Sequence, residues 1–341
     1  MIDVNWADSA KSNDALIIFY DQEPLDRHIF TNLISTQTKF KESTKRVLVT
    51  SEKSSDSDSL VAAHSMAGFD YFYHALLCIE WYRQHWYQPI VPNPNFDRSY
   101  ITYNNLMLGK RLYRSNLLIE LHKRELLTKG HVSFNTPAVD KITRSIDAYN
   151  YLLPTSHRVN MVSNLDLLSE KYVLDSEQVT GDYSAKLDIE NLQSGFVNLV
   201  TETIFYENKV HLTEKSFKPI VAKMPFILLA GAGNLQYLRD YGFKTFGDYW
   251  DESYDSISSP TQRFDAVLNT LTKLSNLSIH ELRSMHNDMK PILEYNYHHF
   301  YKGLRPIVVN EFIQGMSKSL AAADIAFDRA HLQNLDRILT Y

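Results

Sequence analysis

The segment 202–233, with the sequence ETIFYENKVHLTEKSFKPIVAKMPFILLAGAG, combines carboxylates, a lysine and a glycine-rich turn. We predict that a buried strand ends near Glu202 and that a helix begins near Thr213, with Glu214 and Lys215 in its first turn. A helix N-terminus presents unpaired N–H groups and a partial positive charge, both of which favour phosphate. Lys215 adds a full positive charge, and a carboxylate such as that of Glu214 can accept two hydrogen bonds from a diol such as ribose.

A second buried strand, PFILL, follows this helix and is predicted to return to the same edge of the sheet, where it stops at Gly231 and Gly233. Glycines there allow a ligand to approach the backbone closely. Open α/β sheets bind ligands at the edge where their strands end. The pattern therefore predicts a nucleotide-diphosphate site that includes Glu202. Threonine followed by an acid is also common helix-capping chemistry, so spacing alone leaves a purely structural explanation open.

The stretch from 200 to 255 resembles the donor-binding region of GT-B glycosyltransferases, above all the α-1,3-fucosyltransferase family, and also exostosin-like and related viral (phage) enzymes. The residues that match the family's motif are Thr213, Glu214, Lys215 and Phe217, with Glu207 and Asn208 upstream. The resemblance implies that Glu214 binds the ribose and Lys215 the diphosphate, with Asn208 assisting. Lys218-Pro219 and ILLAGAG depart from the family pattern, so the donor sugar is left open.

Inverting glycosyl transfer needs a carboxylate that deprotonates the attacking hydroxyl. Two predicted strand-end loops offer one: FYDQEPL, with Asp21 and Glu23, and VTSEKSSD, with Glu52. Glu52 fits the fucosyltransferase base by its preceding strand and threonine, and Glu23 fits it by the proline that follows. The sequence does not choose between Glu23 and Glu52, and ordinary solvated loop acids remain an alternative for both.

Basic residues are concentrated in the segment 103–131, although the whole chain has a net charge of −5. Related glycosyltransferases carry an arginine-rich turn here, which implies that Lys110, Arg111 and Arg114 face an interdomain cleft and neutralise a leaving diphosphate. A basic, solvated helix face is the alternative. The same segment would suit a phosphate track, so the acceptor is left open between a glycan and a hydroxymethylated DNA base.

The elements that must position these residues follow an α/β pattern. Apolar runs at 15–20 and 45–50 and around 100, 131, 197 and 227 predict strands, and the start of 243–255 predicts a further strand. Amphipathic segments between them predict helices, of which 108–130 is a long one. At 341 residues the chain is long enough for two domains. We expect two Rossmann-like α/β domains facing an interdomain cleft, the GT-B arrangement. The predicted divisions are an acceptor-side domain at 1–170, a donor-binding domain at 171–315 and a C-terminal helix at 316–341 that packs back on the first domain.

Several classes of function are disfavoured. A single cysteine, Cys78, excludes an internal disulfide framework and a cysteine zinc cluster. Asp56 and Asp58 form a D-x-D pattern that a serine-rich loop produces easily by chance, and the adjacent His298 and His299 point to different faces of a helix. We expect no metal and no cofactor beyond the nucleotide sugar. No 18-residue apolar run and no signal pattern occur, so we expect a cytoplasmic enzyme without a membrane span.

The sequence therefore predicts a metal-independent, inverting glycosyltransferase that moves a sugar from a nucleotide-diphosphate donor to a hydroxyl acceptor. The alternative is a non-catalytic α/β module that binds a nucleotide or a sugar without turnover.

Overall fold

The computed structural model describes residues 16–21, 23–25, 45–170, 172 and 185–322, with backbone only for 16–21. Its seven strands are β1 Leu16–Asp21, β2 Lys45–Thr50, β3 Ala67–Asp70, β4 Arg98–Asn104, β5 Gly130–Phe134, β6 Gly195–Thr201 and β7 Phe226–Leu229. Its α-helices within the described residues are α1 Ser55–Ala63, α2 Tyr73–Trp81, α3 Gln84–Tyr87, α4 Tyr113–Lys123, α5 Val139–Ala148, α6 Thr155–Val162, α7 Ile189–Leu192, α8 Glu214–Val221, α9 Asn234–Asp240, α10 Pro260–Ser275, α11 Ile279–His298 and α12 Leu304–Ala322.

The described chain separates into two compact units. The first combines residues up to Glu80 with those from Leu304 onward, and the second is Trp81–Gly303. We call them the split unit and the central unit. This division differs from the predicted boundary at 170/171, which falls between β5 and β6. Those two strands belong to one sheet, because both pair with β4, and a domain boundary cannot separate strands that share a hydrogen-bonded neighbour.

The split unit contains a three-stranded parallel sheet in the order β1-β2-β3. Helix α12 packs on β3: the Phe312 ring lies 5.6 Å from Phe69, edge to face. Gly315 lies so close to Phe69 that a Cβ at this position would come within 2.3 Å of the ring. The C-terminal helix therefore belongs to the same unit as the first three strands.

The central unit contains a four-stranded parallel sheet in the order β5-β4-β6-β7. Its middle strands are almost entirely buried, and α10 and α11 pack against them. The chain leaves β4 toward β5 on one side and leaves β6 toward β7 on the other. The connections diverge between β4 and β6, which makes this pair the topological switch point of the sheet.

The α/β class is confirmed, and every strand in both sheets is parallel to its neighbours. A strand predicted within 243–247 is wrong, because these residues form loop and turn. The long helix predicted from 108 to 130 is shorter: a 3-10 turn, Gly109–Arg111, precedes α4. A helix predicted between β1 and β2, and the end of the predicted terminal helix, lie outside the described residues. Among the helices described, none has the length and apolar character to cross a membrane.

Candidate functional site

The switch point places two loops side by side at the carboxyl edge of the central sheet. One follows β4 and carries Lys110 and Arg111. The other follows β6 and continues from Glu202 to Thr213, where α8 begins. Crevices at such points are where open parallel sheets bind ligands. The predicted donor-binding segment therefore lies at the position in the sheet that topology favours.

Glu202 comes directly after β6 and is fully buried. Its Oε1 accepts hydrogen bonds from the Thr213 backbone N–H (3.1 Å) and the Ser216 hydroxyl (2.7 Å). Its Oε2 accepts from the Thr203 backbone N–H (3.1 Å) and the Thr213 hydroxyl (2.7 Å). Four internal donors saturate this carboxylate. The prediction that Glu202 binds the donor is therefore replaced by a positioning role: Glu202 fixes the start of α8 to the end of β6.

Arg114 is also buried and serves the scaffold. Its guanidinium donates to the carbonyls of Leu106 (2.8 Å), Thr201 (2.8 Å) and Glu202 (3.1 Å), so it fastens the loop after β4 to the end of β6. The Tyr113 hydroxyl donates to the Glu202 carbonyl as well. Burial raises the pKa of Tyr113, which keeps this hydroxyl protonated as a donor. Arg114 was predicted to face a cleft. Its guanidinium instead donates hydrogen bonds to backbone carbonyls inside the protein.

A second buried arginine, which the sequence analysis did not identify, joins the next pair of loops. Arg263 on α10 donates to the carbonyls of Phe205 (2.6 Å) and Ala230 (2.9 Å), which follow β6 and β7. Burial lowers the pKa of Arg263 to about 10, so it still carries its charge at neutral pH. Nothing in the sequence SPTQRFDAV distinguishes this arginine from a surface one.

The partly exposed charges at this edge of the sheet lie on the two loops, further from the core than Glu202 and Arg114. Lys110 Nζ lies 3.1 Å from Glu207 Oε1, and Lys209 Nζ lies 3.8 Å from the same oxygen. Lys209 is buried, whereas the side chains of Lys110 and Glu207 are 25% and 19% exposed. A carboxylate oxygen thus bridges two ammonium groups, an arrangement that a phosphate oxygen can also adopt.

The start of α8 matches the prediction closely. Thr213 is the N-cap, and its hydroxyl accepts from the Lys215 backbone N–H at 3.5 Å. Lys215 Nζ lies 2.7 Å from Glu214 Oε1 and 3.2 Å from Thr213 Oγ1. Lys215 is partly exposed and Glu214 is nearly buried. A lysine, a carboxylate and a helix N-terminus therefore converge here, while Phe217, the fourth residue of the motif, packs in the core against Phe243 and Phe300.

Asn208, predicted to assist donor binding, is exposed on the loop after β6, between Glu207 and Lys209 in the chain. Arg111 is half-buried beside Lys110 on the 3-10 turn. Cationic side chains outnumber carboxylates on these two loops and at the start of α8: Lys110, Arg111, Lys209 and Lys215 against Glu207 and Glu214. The buried Arg114 and Glu202 have opposite charges, so they leave this excess of positive charge unchanged. The local balance therefore favours an anionic ligand.

The two glycines predicted at the site, Gly231 and Gly233, are required by the backbone for different reasons. A Cβ at Gly231 would come within 2.8 Å of the Lys209 carbonyl, so this glycine admits the neighbouring loop rather than a ligand. Gly233 has a left-handed φ of +79°, which favours glycine, and starts α9. Buried Asn234 ties the same elements together: its side chain donates to the carbonyls of Lys209 (3.1 Å) and Gly231 (2.9 Å).

Glu52, the candidate base after β2, is buried in the split unit. Its Oε2 accepts from the Leu25 backbone N–H at 2.8 Å, and its Oε1 accepts from the Ser54 hydroxyl at 2.5 Å. Glu23 is exposed on the loop that Glu52 holds. Asp21 ends β1 in register with the end of β2, and its side chain lies outside the described part. The structure thus brings both candidate loops to one sheet edge; of the two candidate bases, Glu23 is exposed and Glu52 is buried.

Asp70 is a carboxylate at this edge that the sequence analysis missed. It ends β3 opposite Thr50, and its side chain lies 3.7 Å from Lys53 Nζ. Burial raises the pKa of Asp70, against the opposing effect of Lys53. The strand has only four residues, AGFD, which is too short a pattern to be recognised from the sequence. Its terminal carboxylate therefore could not be assigned to a strand end.

The basic segment 103–131 does not form one continuous surface. Arg114 is buried, Lys110 pairs with Glu207, and Lys123 and Arg124 lie at the far end of α4, about 16 Å of helix away. Arg124 contacts Asn269 and Asp265 there. The predicted phosphate track is therefore divided between the two ends of one helix.

No cluster of three or more His, Cys, Asp or Glu side chains suited to a metal occurs within residues 45–170 and 185–322 or the other described residues. Asp56 and Asp58 lie in the first turn of α1, where negative charge complements the helix dipole. Cys78 is a buried helical residue. The D-x-D pattern therefore has a local structural explanation.

Comparison of the chain with protein-family models, with curated proteins and with solved structures finds no match. The likeness to the fucosyltransferases consequently rests on the motif at 200–255 alone.

Proposed function

We propose that the chain is a metal-independent glycosyltransferase that uses a nucleotide-diphosphate sugar, and that its donor binds to the central unit at the switch point. The observation that carries this proposal is the excess of lysine and arginine on the two loops that flank β4 and β6. Lys110 and Lys209 share one carboxylate oxygen, and Lys215 adds its charge at the α8 N-terminus. Protein cations and a helix dipole can neutralise a leaving diphosphate without a metal.

Glu214 supports the same proposal. Its carboxylate is next to Lys215 in the first turn of α8, as the motif requires, and a carboxylate there can accept both hydroxyls of a ribose. The GT-B arrangement, with the central unit as donor side and the split unit as acceptor side, remains part of this proposal, as does an inverting outcome. Glu23, exposed at the carboxyl edge of the split unit, is the better of the two predicted bases, because Glu52 already holds Leu25 and Ser54.

A glycan acceptor is favoured over DNA. The basic residues that would track a DNA backbone are divided between the two ends of α4, and several are paired or buried. An electrophoretic mobility shift at low salt tests this choice: we expect no retention of duplex DNA, and salt-dependent retention would restore the DNA acceptor.

The direct test of the enzyme is a donor screen that measures release of nucleoside diphosphate from UDP-, GDP- and other activated sugars, with a chelator present. We expect release from at least one donor, lost in Lys215→Ala and retained in Lys273→Ala, which removes an equal charge from an exposed position on α10. If no donor releases its diphosphate, or if both variants behave alike, the proposed enzyme is wrong. Diphosphate binding without release in any screen would support the alternative, a non-catalytic binding module.

A further inference from the structure

A cavity of about 660 Å³ opens in the central unit beside the turn that follows β7. Its wall includes Gly233, and a Cβ at that glycine would lie 3.8 Å from Val210, on the loop between Lys209 and His211. The cavity is therefore next to the loop of the proposed diphosphate site and shares only Gly233 with the residues predicted for that site. Its volume falls in the range of small-ligand sites in proteins.

Fixed charges of both signs line the cavity. Glu252 Oε2 accepts from Arg239 at 2.7 Å, and its Oε1 accepts from the Phe246 backbone N–H at 2.9 Å. Asp255 is held by the α9 backbone, with Oδ1 accepting from Leu235 N–H and Oδ2 from Gln236 N–H, both at 2.8 Å. Both carboxylates are more than nine-tenths buried, so the protein holds them in fixed orientations.

Arg239 and Asp255 keep unused hydrogen-bonding capacity, whereas Glu252 Oε2 already accepts from both Arg239 and the Thr245 hydroxyl. Among the described residues, Arg239 uses three of its five N–H donors, toward Thr245, Gln236 and Glu252. Each Asp255 oxygen accepts one backbone N–H and can accept a second hydrogen bond. Donors and acceptors at fixed positions suit hydroxyl groups, because each hydroxyl both donates and accepts.

The charge balance selects among polar ligands. One guanidinium and two carboxylates give the cavity no excess of positive charge, in contrast to the loops at Lys110 and Lys215, so like-charge repulsion opposes a phosphate or a carboxylate ligand here.

We propose that this cavity binds a neutral sugar ring through Arg239 and Asp255, with Glu252 holding Arg239 in place. The inference goes beyond the proposed function, because it requires no nucleotide and no catalysis. The ring can come from a nucleotide-linked donor or from a glycan, and both sources present the same polyhydroxylated chemistry.

Saturation-transfer difference NMR on the full chain tests the proposal, with glucose, galactose, mannose and fucose at millimolar concentration and glucuronate as the charged counterpart. Ser256→Trp fills the cavity from the loop, and Gln236→Trp fills it from α9; both positions are exposed and line it. Ser258→Trp, two residues further along and outside the lining, is the matched control. The second blocking variant keeps the test valid if the first does not fold.

We expect at least one neutral sugar to show transfer with the parent and with Ser258→Trp, and about a tenfold weaker affinity in the blocking variants. Glucuronate should bind more weakly than glucose. The proposal is overturned if no neutral sugar shows transfer, if a folded blocking variant binds like the control, or if glucuronate binds best.

Calorimetry then identifies the source of the ring. If the blocking variants weaken binding of a nucleotide sugar and leave the nucleoside diphosphate unaffected, the ring belongs to the donor. If the blocking variants weaken only the binding of an oligosaccharide, the ring belongs to a glycan. Absence of nucleotide binding to the parent would contradict the proposed function. The NMR result on sugar binding would remain valid, because it does not depend on a nucleotide.

Discussion

Glu52 and Glu202 occupy equivalent places in the two units: each follows a central strand of a parallel sheet, and each is buried. Glu202 binds the start of the next helix through three of its four hydrogen bonds. Glu52 binds a neighbouring loop through Leu25 and reaches Ser54, the N-cap of α1. In both sheets a strand-end glutamate organises the local backbone, although the sequence predicted Glu202 to bind the donor and Glu52 to act as a base.

The two sheet edges differ in the layer outside these glutamates. In the central unit that layer is cationic, with Lys110, Arg111 and Lys215. In the split unit it contains Glu23 and Asp70 with Lys53. An edge with excess positive charge suits a diphosphate, and an edge with carboxylates suits proton transfer from a hydroxyl. The chemistry of each edge is therefore set by its outer residues, while its shape is set by the buried ones.

The largest effect is expected from Glu202→Ala. The substitution leaves two backbone N–H groups and two hydroxyls without their acceptor, each inside the protein. We expect the free energy of unfolding to fall by about 3 kcal/mol or more, because each buried donor left unsatisfied costs ~1–3 kcal/mol. Urea denaturation measures the change.

Glu202→Gln is the matched control, since it keeps the shape and one carbonyl acceptor and should cost clearly less. Equal stability of the alanine variant and the parent would show that Glu202 does not hold the start of α8.

Glu52→Ala should destabilise the chain by a smaller amount, about 2 kcal/mol, because it removes the acceptor of the Leu25 N–H and the Ser54 hydroxyl. Glu23→Ala, at the exposed position on the neighbouring loop, should change stability by less than about 0.5 kcal/mol. Thermal or urea unfolding of both variants gives the comparison. A larger loss from Glu23→Ala than from Glu52→Ala would reverse the assigned roles.

Glu207→Gln should strengthen binding of a nucleoside diphosphate to the central unit. The Glu207 carboxylate lies against Lys110 and Lys209, and its removal leaves more positive charge on this loop for the ligand. We expect a gain of up to about fivefold in affinity, the scale of a partly exposed ion pair of ~1 kcal/mol. Weaker binding in calorimetry would mean instead that Glu207 contacts the ligand itself.

Asp70→Asn gives the smallest effect and depends on pH. Burial raises the pKa of Asp70, so the folded state binds a proton more tightly than the unfolded state does. The ionised carboxylate therefore costs stability once the pH exceeds the folded pKa. We expect the variant to be more stable than the parent by less than about 1 kcal/mol at neutral pH, with the difference vanishing below the ordinary value of 3.8. A stability difference between the variant and the parent that stays constant from neutral pH down to below 3.8 would contradict the effect of burial on the Asp70 carboxylate.

Much of the fold could be predicted because its signals are local. The strands at 45–50 and 195–201 are short apolar runs, and the helix after Thr213 has a capping residue followed by an acid. The domain boundary could not be predicted, because the pairing of β4 with β6 joins residues almost a hundred positions apart, and no local pattern reports it.

Residue types at the site were predicted more successfully than residue roles. Lys215 and Thr213 lie where the motif requires, since helix capping fixes them over a few residues. Glu202 and Arg114 were assigned to ligands and Glu52 to catalysis, yet their partners include backbone groups supplied by other loops. Burial of a charged side chain depends on tertiary contacts, and a sequence pattern cannot distinguish a buried charge that satisfies the backbone from an exposed one that meets a ligand.

The most direct test of the account is a calorimetric titration of the full chain with nucleoside diphosphates in the presence of a chelator. We expect at least one nucleoside diphosphate to bind without metal. We also expect about a tenfold loss of affinity in Lys215→Ala, the scale of one charge-assisted hydrogen bond, and no loss in Lys273→Ala. Absence of binding to the parent, or equal affinity in the two variants, would contradict the central claim that the outer cations of the switch point hold a diphosphate.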